Sequence, residues 1–123
     1  MKKFKLITTI LLSIFAISVF AQENQKELPK GVEEIKIQTS AQCEQCKERI
    51  EGDMAFEKGV KYVDLDLETK ILTIQYKTAK TDPKKLRTAV SKIGYDADDV
   101  TADPKAYEKL PECCKKGGHD HEH

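Results

Sequence analysis

The sequence predicts an α+β sandwich, a four-stranded antiparallel sheet with two helices on one face, in the order βαββαβ. Three observations point to it. Apolar residues alternate with polar ones in "EEIKIQT", "VKYVDLDLE" and "ILTIQY". Apolar residues recur every fourth position after the first of these segments, and a capped, glycine-terminated helical pattern follows the third.

In the first strand Ile35, Ile37 and Thr39 alternate with charged or polar residues, the period of a half-buried strand. Cys46, Ile50 and Met54 then mark the inner face of a helix from about Cys43 to Phe56. Gly52 and Asp53 weaken its middle, the glycine by about 1 kcal/mol relative to alanine. Gly59 is expected to end it. Val63, Leu65 and Leu67 share one face of the second strand, "ETK" turns, and Leu72, Ile74 and Tyr76 point inward from the third. Asp82 can cap a second helix with Pro83 in its first position, where the missing N–H does no harm. Leu86, Ala89, Val90 and Ile93 form its buried stripe and Gly94 stops it. "YDADDVT" is the weakest element, a last strand. This order is the ferredoxin-like, split-βαβ pattern.

Around that unit the chain divides into four parts. Residues 1–21 read as a secretory signal peptide: Lys2, Lys3 and Lys5 precede an apolar run from Leu6 to Phe20. The run is shorter than the roughly 18 to 20 residues that cross a bilayer, and no second one follows, so no membrane insertion is expected after cleavage. An uncleaved N-terminal anchor is the alternative. Residues 22–31 form a polar linker with Pro29 and Gly31, residues 32–102 the domain, and residues 103–123 a tail with cysteines and histidines, in which "PKAYEKL" suits a short helix. The whole chain balances 21 basic against 21 acidic residues; without the three leader lysines it has 18 against 21, a net of about −3. No basic face for nucleic acid is implied.

Chemistry concentrates in "TSAQCEQCKERIE". Cys43 and Cys46 fall at the start of the first helix, where unpaired N–H groups, the helix dipole and a nearby Lys47 or Arg49 favour thiolates. Their spacing lets both sulfurs meet one soft ion, Cu(I), Hg(II), Cd(II) or Zn(II), and two ligands leave the site open to an attacking thiol. C-x-x-C alone is shared with other chemistries. Lys47 after Cys46 excludes haem attachment, and a zinc ribbon lacks its second C-x-x-C. A thiol–disulfide oxidoreductase using the same pair, and an interaction module stapled by disulfides, are the alternatives.

From about Glu33 to Thr101 the chain resembles the heavy-metal-associated domain, the family of small copper chaperones, mercury-binding periplasmic proteins and N-terminal modules of metal-pumping ATPases. The resemblance rests on "CEQCKERIEGDMAFEKGVKYVDLDLETKILTIQY" and "LRTAVSKIGYDA" and covers about 70 of the 102 residues after the leader. It implies that Cys43 and Cys46 are metal ligands, and that Tyr95 stands beside the metal loop; a turn aromatic covering the sheet edge is the other reading of Tyr95. It implies a non-enzymatic, monomeric, periplasmic or secreted carrier of a soft ion, Cu(I) first. Its partner would be a metal-transporting ATPase or another membrane transporter or efflux component. One departure stands out. The family commonly places Gly-Met-x before the first cysteine, with the methionine packed under the loop, whereas this chain has Ser40, Ala41 and Gln42. The loop is therefore expected to be less firmly supported.

The tail adds Cys113 and Cys114, whose adjacency disfavours a bridge between them. One or both either join Cys43 and Cys46 in a three- or four-thiolate site, or form disulfides with them when metal is absent; a loose tail with oxidised cysteines is the alternative. His119, His121 and His123 form a run able to hold Cu(II), Ni(II) or Zn(II) weakly.

Overall fold

The alternation around Ile35 and Ile37 yields strand β1 (Val32–Gln38) in the computed structural model, which describes residues 27–116. Helix α1 (Glu44–Ala55) follows, then strands β2 (Val60–Leu65) and β3 (Ile71–Lys77), helix α2 (Pro83–Ile93), the short helix α3 (Pro104–Glu108) and a 3-10 turn at Glu112–Cys114. The leader and the histidine run lie outside the described residues.

The sheet order is β1-β3-β2, all antiparallel. Central β3 buries Leu72, Ile74 and Tyr76, as the alternation predicts. Register sets Ile74 between Ile35 and Val63, and Leu72 between Ile37 and Leu65, so two apolar rows cross the sheet toward the helices. Strand β2 stops at Leu65, leaving Leu67 half-buried in the connection.

Helix α1 turns Cys46, Ile50 and Met54 onto this surface, each at most 1% exposed. Burying each large apolar side chain contributes roughly 1.5–3 kcal/mol. That exceeds the cost of Gly52, and the helix runs through it. It ends earlier than expected, at Ala55 with Phe56 as cap, and Gly59 instead supplies the positive φ that leads into β2. Helix α2 begins as its sequence dictates, with the Asp82 carboxylate accepting from the Lys85 N–H at 2.8 Å and Pro83 in the first turn. Leu86 and Val90 are fully buried, whereas Ala89 and Ile93 are half-buried at the flanks of the stripe. Ser91 is buried too, its hydroxyl donating to the Thr101 carbonyl at 2.8 Å.

The expected fourth strand is reduced to single bridges, Thr39 with Ala97 and Ala97 with Val100, leaving a three-stranded sheet among the described residues. Its residues occupy the place beside β1 that the βαββαβ order assigns them. Asp98 prevents a longer ladder. It sits at φ +54°, donates its N–H to the Gln38 carbonyl, and accepts the Gln38 N–H on Oδ1 at 2.9 Å. Short acidic side chains favour such local bonding and tolerate the left-handed conformation. Oδ2 of the same carboxylate accepts from the Arg87 Nε at 2.8 Å and ties this edge to α2.

The segment after Asp96 is docked. Asp103 caps α3 through the Ala106 N–H, and its own N–H donates to the Ser91 carbonyl. Leu110 is 6% exposed and reaches Gly94, whose φ of +116° ends α2. A Cβ on Gly94 would lie 3.1 Å from the Ala106 carbonyl and 3.2 Å from Leu110 Cγ, so only glycine permits both the turn and the close approach.

Replacing Asp98 with alanine is expected to cost about 1–2 kcal/mol at neutral pH, reduced for partial exposure. Burial pushes this carboxyl up, but Arg87 and the Gln38 N–H outweigh it and hold it below the usual carboxylate range. The contribution is therefore complete above the unfolded-chain value of about 3.9 and disappears as pH falls through the lower folded value. Urea unfolding of both proteins from pH 7 downward should show a constant gap that closes below about pH 4; a pH-independent gap would refute the charged interaction.

Candidate functional site

Cys43 occupies the N-cap of α1 with extended backbone, φ −151°, and its carbonyl accepts from the Cys46 and Lys47 N–H groups at 2.9 and 3.1 Å. This places its sulfur over the open first turn and 3.7 Å from the sulfur of Cys46. All four cysteines among the described residues are free thiols. Cys43 is half-buried, while Cys46 is fully buried under the loop. The pair is asymmetric, with one sulfur facing outward and one inward.

The loop before Cys43 is held by polar bonds. The Ser40 hydroxyl accepts from the Asp96 N–H at 2.9 Å, the Thr39 hydroxyl accepts from the Ala41 N–H, and the Lys70 ammonium donates to the Gln42 carbonyl. Ala41 is fully buried where the family usually packs methionine. The support expected to be missing is thus supplied by hydrogen bonds to the Asp96 turn and to Lys70. Sequence reading missed it because the partners are up to 56 residues apart.

Tyr95 follows the Gly94 turn and is fully buried, with its hydroxyl in hydrogen-bonding reach of Cys46. Its hydroxyl accepts from the Arg49 guanidinium at 3.3 Å. The same guanidinium nitrogen donates to the Cys114 sulfur at 3.2 Å. Of the two cations expected near the thiols, only Arg49 serves. Lys47 turns away, donating to the Leu65 carbonyl at 2.7 Å and pairing with Glu51 and Asp64. Arg49 lies three residues after Cys46 and so on the same helix face, which is the signal that singles it out.

The 3-10 turn brings the tail cysteines to the same place. Cys114 is 1% exposed, and its sulfur is 3.9 Å from that of Cys113. The Cys113 carbonyl accepts from the Cys43 thiol at 3.6 Å, and the Cys113 thiol donates to Gln45 Oε1 at 3.1 Å. The sulfurs of Cys43, Cys113 and Cys114 all lie within 4.8 Å of one another. Gln45 carried no sequence signal, because its contact is 68 residues away. His119, His121 and His123 fall outside the described residues.

Ionisation within the cluster is uneven. Burial pushes Cys46 up, but hydrogen bonds from Cys114 and Tyr95 and from the Gln42 and Cys43 backbone outweigh it, leaving Cys46 below the ordinary thiol value. Burial raises Cys43 against the lowering effect of the Cys46 and Gln45 N–H groups. Burial, then Cys46, pushes Cys114 up to about 12. Burial and the neighbouring Cys46 sulfur likewise keep the Tyr95 phenol protonated. Cys46, at the helix start, is thus the thiol of the cluster whose ionisation the surroundings favour, while burial opposes that of Cys43 and Cys114.

Tyr95→Phe should destabilise the reduced protein by about 1–2 kcal/mol, because the part-buried guanidinium loses an acceptor. Tyr95→Ala should cost roughly 3–5 kcal/mol through the cavity it opens. Denaturant unfolding under reducing conditions measures both, and costs under about 0.5 kcal/mol would mark Tyr95 as a surface turn residue.

Comparison with known proteins matches the described geometry. Residues 39–96 match the heavy-metal-associated domain model. Copper-transporting ATPase 1 of Rattus norvegicus is 36% identical over 55 residues, which are 45% of this chain and 4% of that protein. Among solved structures, the CopZ metallochaperone superposes with a TM-score of 0.50 at 24% identity, over 53% of this chain and 98% of that one. Oxidized MerP from Ralstonia metallidurans superposes with a TM-score of 0.52, also at 24% identity, over 55% of this chain and 94% of that one. At such identity the two structures establish a shared fold, the ferredoxin-like one. The cysteine pair at the head of α1 lies within residues 39–96, the stretch that matches the heavy-metal-associated domain model.

Proposed function

We propose that the protein binds a soft transition-metal ion, Cu(I) first, through Cys43 and Cys46, in the periplasm or an equivalent space after removal of residues 1–21. It then passes the ion to a membrane metal transporter or efflux component, or withholds it. The observation that carries this reading is the pair of sulfurs 3.7 Å apart at the N-terminus of α1, within a heavy-metal-associated domain. The two thiols give up their protons as the ion enters, and soft sulfur favours Cu(I), Zn(II), Hg(II) or Cd(II) over hard ions.

The asymmetry of the pair supports transfer by ligand exchange. Cys43 is the outer sulfur and the one an approaching thiolate meets first, whereas Cys46 holds the ion from beneath. A partner thiolate bonds to the ion, the Cys43 bond breaks, and the ion is then shared between the two proteins until the Cys46 bond breaks in turn. No covalent bond in a substrate is cleaved, and the protein acts as a carrier rather than an enzyme. The ATPase relative, by its name a copper transporter, supports a transporter as the partner class. The first turn of α1 and Arg49 supply positive electrostatic potential, offsetting the charge of two thiolates.

Anaerobic purification of residues 22–123 followed by elemental analysis should find one soft ion per chain in the wild type and none in Cys43→Ser/Cys46→Ser. Retention of the ion by the variant would overturn the assignment. Reduction of insulin by the metal-free wild type at oxidoreductase rates would replace it with the redox alternative.

A further inference from the structure

The Glu112–Cys114 turn is held on the cysteine loop from both sides. Upstream, Leu110 is packed against Gly94 and α3 is capped by Asp103. Downstream, the Lys116 N–H donates to the Tyr107 hydroxyl at 3.1 Å, and the Lys116 ammonium pairs with Asp96, next to Tyr95. Between these anchors the Cys113 carbonyl and both tail sulfurs face Cys43, Gln45 and Arg49.

The sulfur spacings have a chemical meaning. Tetrahedral coordination with metal–sulfur bonds of about 2.3 Å sets neighbouring sulfurs about 3.8 Å apart, and trigonal coordination sets them about 4.0 Å apart. Two sulfur pairs, Cys43–Cys46 and Cys113–Cys114, are in contact at 3.7 and 3.9 Å, and the Cys43 sulfur lies within 4.8 Å of each member of the tail pair. All four thiols are free, and Cys113 is only half-buried, so its side chain has room to close the gap of up to about 1 Å between 4.8 Å and coordination spacing.

We propose that residues 112–114 form a ligand-supplying arm: Cys113 and Cys114 donate thiolates to the ion held at Cys43, giving a site of at least three sulfurs. This deepens the proposed function and rests on it. Two-sulfur coordination leaves the ion open to any thiol, whereas the arm encloses it and makes departure conditional on displacing Glu112–Cys114. Ligand exchange then has an internal competitor. A partner must offer enough sulfurs to replace the arm as well as Cys43, so single small thiols remove the ion slowly and a dithiol site removes it faster. Arg49, touching Cys114, offsets the charge that the added thiolates bring.

The test is X-ray absorption at the copper edge on the reduced protein loaded anaerobically with Cu(I), together with the rate at which a Cu(I) chelator removes the ion. The wild type should show at least three sulfur neighbours. Cys113→Ser/Cys114→Ser should show two and release the ion at least tenfold faster. Because Cys114 is buried and its replacement can disturb folding, Cys113→Ser alone is measured in parallel. It leaves the core intact and should lose one sulfur neighbour and release faster than wild type. Two sulfur neighbours in the wild type with unchanged release in both variants would overturn the arm while leaving the proposed function standing. A wild type that takes up no Cu(I) would overturn both.

Discussion

The contact between Gly94 and the backbone of Ala106 determines where everything around the cysteines can stand. At φ +116° the chain leaves α2 in a direction that drives Tyr95 inward, and the missing side chain lets α3 approach to ordinary contact with the turn. Any Cβ would meet the Ala106 carbonyl at 3.1 Å, so a larger residue would have to push α3 outward. Leu110 Cγ lies 3.2 Å from the same Cβ, so the segment leading to the Glu112–Cys114 turn would also have to give by a few tenths of an ångström. One glycine thus couples the aromatic floor of the site to its sulfur-bearing roof.

The second constraint is electrostatic. Two buried thiols, two half-buried thiols and a buried phenol lie close together, and the Arg49 guanidinium touches both the phenol and Cys114. Burial holds Cys114 and Tyr95 protonated, and only Cys46 is drawn below the ordinary thiol value. Gathering several thiolates at that spot is unfavourable until a cation enters to balance them. Under the proposed function, each proton released on binding would be exchanged for a share of the ion's charge.

Much of this architecture is written locally. Asp82, Pro83 and Gly94 delimit α2 because each acts on neighbouring backbone, and the alternation of Leu72, Ile74 and Tyr76 fixes the buried face of β3. Cys43 and Cys46 are legible for the same reason: the spacing that joins them is a property of one helical turn. Features that depend on distant partners were not legible. Asp98 converts an expected strand into bridges by bonding to Gln38, 60 residues away. Ser40 and Lys70 brace the loop in place of a packed methionine, across 56 and 28 residues. The docking of Cys113 and Cys114 was one of two readings of the tail, and only the path through Leu110 and Asp103 decides for contact.

The thiol pair at the head of α1 is overlain by the Glu112–Cys114 turn, the geometry on which both the proposed ion binding and the proposed retention rest. The most direct measurement is a comparison of amide chemical shifts in reduced protein with and without one equivalent of Cu(I) under strictly anaerobic conditions. Binding at the thiol cluster should shift Cys43, Cys46, Tyr95 and the 112–114 turn together, with β2 and the outer face of α2 unmoved. Shifts confined to the histidine run, or none at the two helix-start cysteines, would contradict it.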